Sequence, residues 1–300
     1  MNQCLLEINN LRIAYATIHN HDDNNPNWAV DGVSFPLNGG EIMALVGESG
    51  CGKSTLGRAM MRLLPPKTRI EGEAKFQGES IYDYDASALR KFRGEVVALV
   101  FQDPMTRLDP LMTIGDHCLE TLKAHQQNLS TSEAKEKALS ALATVNIPPE
   151  RFNQYPHEFS GGMRQRVAIA LALLLEPKVI IADEPTTSLD VTIAGEILAE
   201  LTTLCREKDM GLLLISHDLA MVAKYCDRIG VMYRGKMVEM GEVKDIIYNP
   251  QHEYTQSLLK AAFHLHNTEN KDIQTEHKEH KLPLLELKNL EKYYLSLIHI

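Results

Sequence analysis

One nine-residue segment, Gly47-Glu48-Ser49-Gly50-Cys51-Gly52-Lys53-Ser54-Thr55, constrains this chain more than any other. It follows the pattern G-x-x-x-x-G-K-S/T. An apolar run from Glu41 to Val46 precedes it, and a helix-like stretch from Lys53 to Leu64 follows, closed by Pro65 and Pro66. Gly47, Gly50 and Gly52 permit backbone conformations that side chains forbid, so successive N–H groups can turn toward one phosphate. The N-terminus of the following helix adds its positive end. Lys53 then reaches the β- and γ-phosphates of a nucleotide, and the Ser54 hydroxyl offers itself to Mg²⁺. A glycine-rich turn with an incidental lysine would not also sit between a strand and a helix.

Apolar strands and helices alternate along the rest of the chain. Strands are expected at 4–15, 95–101, 178–182 and 211–215, and helices at 114–127, 130–145 and 160–175. Ser130 or Thr131 suits the N-cap of the second helix, with Glu133 placed for a capping box. The pattern predicts a parallel sheet of the α/β class with a mostly helical insertion between 103 and 166. Residues 17–27 read as a polar loop. Residues 264–282 are almost wholly polar or charged without periodicity, and they read as a linker whose histidines are solvated rather than metal-binding.

Composition narrows the function classes. Lys and Arg number 31 against 40 Asp and Glu, a formal net charge of −9, which disfavours broad nucleic-acid binding. The longest apolar run, Val167 to Leu175, is far short of the roughly 20 residues a spanning helix needs. The N-terminus does not read as a signal peptide. The five cysteines (Cys4, Cys51, Cys118, Cys205 and Cys226) form no Cys-x-x-Cys pair, so a reducing cytosol fits better than a disulfide framework.

Two further segments carry chemistry. Residues 179–184, VIIADE, are an apolar strand ending in two carboxylates: Asp183 suits a Mg²⁺ ion, and Glu184 suits the polarisation of an attacking water. Ser160-Gly161-Gly162-Met163-Arg164-Gln165 opens a helix with a serine and two glycines, either as an ordinary cap or as a second phosphate site. A single domain cannot fold both glycine-rich turns onto one γ-phosphate across a helical insertion. Two copies facing each other, each lending this turn to the other's nucleotide, resolve the conflict.

Taken in order, Gly47–Thr55, Gln102, Ser160–Gln165, Asp183–Glu184, Ser188-Leu189-Asp190 and His217 resemble the ATP-binding cassette (ABC) ATPases over residues 5–262. The resemblance implies an ABC cassette with a RecA-like parallel-sheet core, an N-terminal antiparallel β subdomain and an inserted α-helical subdomain. It also implies roles: Gln102 contacts Mg²⁺ and the attacking water, His217 the γ-phosphate, and Tyr15 stacks on adenine. Ser160, Gly161, Gly162, Gln165 and Asp190 would face the nucleotide of a second cassette. ATP and Mg²⁺ are the implied ligands.

Residues 101–112, FQDPMTRLDPLM, and 248–255, YNPQHEYT, are similar to the oligopeptide/dipeptide importer branch, which also takes up glutathione and nickel. In that branch the second motif carries proline where this chain has Glu253. No cysteine follows Cys226, so an iron–sulfur cluster is not supported. Residues 283–294 match 4–15 at six positions with a constant offset of 279, which resembles fused members with two cassettes in one chain. The expected layout is a cassette at 1–262, a linker at 263–282 and, at 283–300, the truncated start of a second cassette. The resemblance implies an ATPase subunit on the cytoplasmic face of the inner membrane, partnered by a second cassette and membrane permease subunits, with a solute-binding protein acting indirectly.

Three other readings compete with this one. A ribosome-acting two-cassette protein should have a long basic linker, and this one is mixed and slightly acidic. Chromosome-type members need a coiled coil hundreds of residues long, whereas 106 residues separate Lys53 from Ser160. A fragment that binds ATP but hydrolyses it poorly is compatible with the same residues.

Overall fold

A computed structural model describes residues 3–16, 26–101, 108–187 and 189–267. Gln102, Ser188, most of the linker and the whole of segment 283–300 lie outside the described residues. The chain divides into two units, 1–263 and 264–300.

The elements, in order, are β1 (Cys4–Ala14), β2 (Val30–Asn38), β3 (Ile42–Val46), α1 (Lys53–Met60), β4 (Arg69–Phe76), β5 (Glu79–Ser80), α2 (Ala86–Lys91) and β6 (Val97–Val100). Then follow α3 (Ile114–His125), α4 (Thr131–Thr144), α5 (Gly161–Leu173), β7 (Val179–Asp183), α6 (Val191–Glu207), β8 (Gly211–Ile215) and α7 (Leu219–Tyr225). The series closes with β9 (Arg228–Tyr233), β10 (Lys236–Glu242), α8 (Val243–Tyr248) and α9 (Glu253–Asn267). The last helix runs past the 262 boundary and into the segment read as linker.

Two sheets result. An antiparallel one has the order β2-β1-β4-β5, and a larger one has the order β10-β9-β3-β8-β7-β6, in which only β10 runs antiparallel. The parallel strands read as unbroken apolar runs because both faces are covered. Ile42, Ala44 and Val46 of β3 enter one hydrophobic core, while Met43 and Leu45 enter the other. The same alternation splits Ile180 and Ala182 from Val179 and Ile181 in β7, and Leu212 and Leu214 from Leu213 and Ile215 in β8. The first core joins the sheet to the helices α3 to α6. The second joins its opposite face to α1 and the antiparallel sheet.

The helical caps follow sequence rules. Ser130 and Glu133 form a reciprocal capping box at the start of α4, as the spacing predicted. Thr113 and Asp116 form another at α3. Helix α1 ends at Met60, earlier than the predicted Leu64, because Arg62 takes a left-handed conformation with φ of 50°. In that turn the Arg62 guanidinium donates to the Tyr84 carbonyl at 2.7 Å, tying the end of α1 to the chain before α2. Pro36 lies within β2, which is an edge strand, so its missing N–H breaks no ladder between two neighbours.

The second core is keyed by Phe92. It is 2% exposed and meets Phe76 edge-on at 6.1 Å and Tyr84 at 5.4 Å. Phe92→Ala should lower folding stability by about 3–5 kcal/mol, read by chemical denaturation of the nucleotide-free protein. A loss below about 1 kcal/mol would show that this ring is not the packing element described.

Candidate nucleotide site

Three neighbouring parallel strands deliver the site. At their carboxyl ends β3 leads into Gly47, β7 ends in Asp183 and Glu184, and β8, which lies between them, leads into His217. Open α/β sheets bind ligands at this edge. The ladder continues beyond the strands, with Ser216 N–H donating to Leu45 O at 3.1 Å and Glu184 N–H to Ile215 O at 2.9 Å. The loops are therefore fixed relative to one another before any ligand arrives.

A cavity of about 560 Å³ opens here, with Tyr15, Lys53, Ser54, Thr55, Glu184 and His217 among its walls. Gly47, Gly50 and Gly52 also line it, all with positive φ, at 145°, 80° and 106°. A Cβ on Gly47 would stand 2.2 Å from the Met232 carbonyl oxygen, and one on Gly52 would stand 2.4 Å from that of Ala29. Gly50 would meet nothing, because it faces the open cavity.

Lys53 is buried, and its ammonium donates to the carbonyls of Gly47 at 2.7 Å and Glu48 at 2.9 Å, with Cys51 Sγ at 3.6 Å. Among the described residues no carboxylate lies within ion-pair distance of it. A cation held by neutral dipoles in a glycine-rich turn suits a polyanion.

Ser54 Oγ donates to Asp183 Oδ1 at 2.8 Å, joining the first turn of α1 to the end of β7. Burial pushes the Asp183 carboxyl above its ordinary value. The Ser54 hydrogen bond works against this shift, and the Glu184 charge adds to it. A hydroxyl and a buried carboxylate, both hard oxygen donors beside a second carboxylate, fit Mg²⁺. Proton and metal would compete for Asp183, so cation affinity should fall as pH drops through that raised value.

Glu184 sits in a left-handed conformation, φ 48°, at the point where the chain leaves the sheet. Such a backbone persists only when its surroundings hold it, and it occurs most often at functional sites. Its Oε2 accepts a hydrogen bond from Thr187 Oγ1 at 2.9 Å and lies 3.5 Å from His217 Nδ1. His217 itself is largely exposed. Thr187 as a partner of Glu184 was not anticipated from sequence, although a threonine three residues after a carboxylate at a turn is a recognisable signal. Tyr15 joins the same wall, its hydroxyl 3.0 Å from Thr55 Oγ1.

The second glycine turn lies elsewhere. Ser160 caps α5 through the Met163 N–H, and Asp190 caps α6 through the Ile193 N–H at 2.9 Å. The two caps adjoin, since a Cβ on Gly162 would come 2.8 Å from Ile193 Cγ2 and one on Gly161 would come 3.5 Å from Leu189 Cδ2. None of Ser160, Gly161, Gly162 or Asp190 lines the cavity holding Lys53. Gln165, within α5, is only 2% exposed. Ser160 and Gly161 are exposed at the helix end, and Gln165 lies one helical turn beyond Gly161.

Gly52→Ala should abolish detectable ATP binding in equilibrium titration while leaving a folded protein by circular dichroism, because a left-handed backbone and a carbonyl contact both exclude the methyl group. Binding within about threefold of wild type would contradict this geometry.

Comparison with known proteins identifies the family. The family model described as ABC transporter matches residues 30–187. The chain is 46% identical over 262 residues to the dipeptide transport ATP-binding protein DppD of Bacillus subtilis, covering 86% of this chain and 76% of that protein. It is 44% identical over 260 residues to the oligopeptide transport ATP-binding protein OppD of Salmonella typhimurium, covering 86% and 76%. Among solved structures, the dimeric, post-hydrolysis ATP-binding cassette MJ0796 bound to ADP and Pi superposes with a TM-score of 0.69 at 27% identity, covering 80% of this chain and 99% of that one. CbiO1 of Clostridium perfringens, part of the cbiONQ ABC transporter complex, gives a TM-score of 0.70 at 28% identity, covering 89% and 99%. With its phosphate loop, acidic strand end and sheet order all in place, the chain belongs to the ABC transporter family and has the fold of that family's ATPase cassette.

Proposed function

We propose that this chain hydrolyses ATP to drive uptake of peptides or related small solutes through a separate membrane permease. The observation that carries the reading is the placing of Lys53 and Glu184 on the walls of one cavity, beyond the carboxyl ends of β3 and β7, the two strands that flank β8. The likeness to dipeptide and oligopeptide transport ATP-binding proteins supports the solute class.

In this reading the Gly47–Thr55 loop cradles the phosphates, and the Lys53 ammonium transfers from its two carbonyl partners to the β- and γ-phosphate oxygens. Tyr15 takes the adenine side of the cavity. Ser54 and Asp183 hold Mg²⁺, joined by Gln102; the ion supplies charge neutralisation on the phosphates. Glu184 accepts the proton of the attacking water, oriented by Thr187, while His217 hydrogen-bonds the γ-phosphate.

Ser160, Gly161, Gly162 and Asp190 serve the nucleotide of a facing cassette, whether a second copy of this chain or a paralogue. The adjoining N-caps of α5 and α6 make one exposed surface of backbone N–H groups suited to that task. Among the described residues no helix is long and apolar enough to cross a membrane. The chain then acts as a peripheral subunit on the cytoplasmic face of the inner membrane, where closure of two cassettes moves the permease.

Glu184→Gln should bind ATP as the parent does but lose turnover by about 100-fold or more in a phosphate-release assay, and cells carrying only this variant should fail to take up labelled dipeptide. Turnover within tenfold of wild type would remove Glu184 as the base, and unaffected uptake would remove the transport assignment. If two copies complete the site, specific activity should rise with protein concentration in the dilute regime. A specific activity independent of concentration would contradict the paired arrangement.

A further inference from the structure

We infer that Tyr254, at the start of α9, is a positioning residue for the phosphate loop and acts through the Gly47–Glu48 peptide on Lys53. The inference rests on the reading that nucleotide phosphates occupy this loop. It also gives a task to segment 248–255, which the catalytic account does not use.

The Glu48 N–H donates to Tyr254 Oη at 3.0 Å, across 206 residues of sequence. The carbonyl of the same peptide group, that of Gly47, accepts from Lys53 Nζ at 2.7 Å. A peptide group is planar and rigid, so a hydrogen bond at its N–H end fixes where its oxygen points. Tyr254 and Lys53 therefore hold opposite ends of one plate. Gly47, with its φ of 145° and no room for a Cβ beside the Met232 carbonyl, lets this plate take an orientation that other residues could not adopt.

Tyr254 is well held for the task. Its ring stacks on Tyr233, at the end of β9, with centroids 4.2 Å apart and planes 27° from parallel. Its own N–H donates to His252 Nδ1 at 3.1 Å. Glu239 on β10 accepts from the N–H groups of Gln251 at 2.8 Å and His252 at 3.1 Å, anchoring the entry to the helix. The turn between β9 and β10 grips the loop again, with Gly235 N–H donating to Cys51 O at 3.1 Å. The loop that receives phosphate is thus backed by the C-terminal part of the cassette, and Tyr254 supplies a side-chain acceptor in that backing.

Tyr254→Phe removes the hydroxyl and keeps the stacked ring. In equilibrium titrations of the full chain with ADP, this change should weaken binding about fivefold, roughly 1 kcal/mol. The nucleotide-free melting temperature should stay at the wild-type value. Tyr254→Leu, which also removes the ring, should weaken ADP binding by at least as much and lower the melting temperature. In a Lys53→Ala background the Tyr254→Phe change should have no further effect on ADP binding. Unchanged affinity in Tyr254→Phe overturns the inference. So does a fall in affinity matched by a fall in melting temperature, or an equal loss in both backgrounds. Wild-type protein that fails to bind ADP would overturn the nucleotide reading, and this inference with it.

Discussion

The structure depends on strands buried on both faces. Because β3, β7 and β8 give alternate residues to two separate cores, none of them can shift register by one residue without moving its large side chains into the wrong core. That lock fixes where the three strands end. Gly47, Asp183, Glu184 and His217 lie at those ends, so the packing of aliphatic side chains below decides the geometry of charged groups above. The helices are secondary to this arrangement: α1 carries the loop's positive end, and α5 and α6 carry the caps on a different face.

Electrostatics at the strand ends then follow from confinement. Lys53 is a buried cation satisfied by carbonyl dipoles, and Asp183 is a buried carboxylate whose proton affinity burial has raised. Each is held at some desolvation cost, which a triphosphate and a divalent cation would offset together. The same confinement explains why small changes in the loop matter. A Cβ at Gly47 or Gly52 would meet a backbone carbonyl before any side chain, and backbone cannot move aside.

Much of this was legible in the sequence, for identifiable reasons. Gly47–Thr55 and VIIADE are local signals in which residue type and element boundary coincide, and the capping box at Ser130 and Glu133 is equally local. The shortened α1 was not visible, because the left-handed turn at Arg62 lies in no glycine or asparagine. The burial of Gln165 was not visible either, because helical spacing sets it one turn from the exposed Gly161 and only the packing around α5 covers it. Thr187 and Tyr254 were missed as partners of the site for different reasons. Thr187 follows Glu184 at a turn that could have been read, but Tyr254 meets Glu48 only through the path of the whole cassette.

The central claim is that this loop and these strand ends form an ATP site completed from outside the cassette. A crystal or cryo-EM structure of the full chain carrying Glu184→Gln, with ATP and Mg²⁺, tests it most directly. The account predicts Lys53 Nζ on the β- and γ-phosphate oxygens, Ser54 and Asp183 about the metal, and Ser160 of a second copy within hydrogen-bond distance of the γ-phosphate. Nucleotide bound away from Lys53, or a site closed without any facing Ser160, would contradict it.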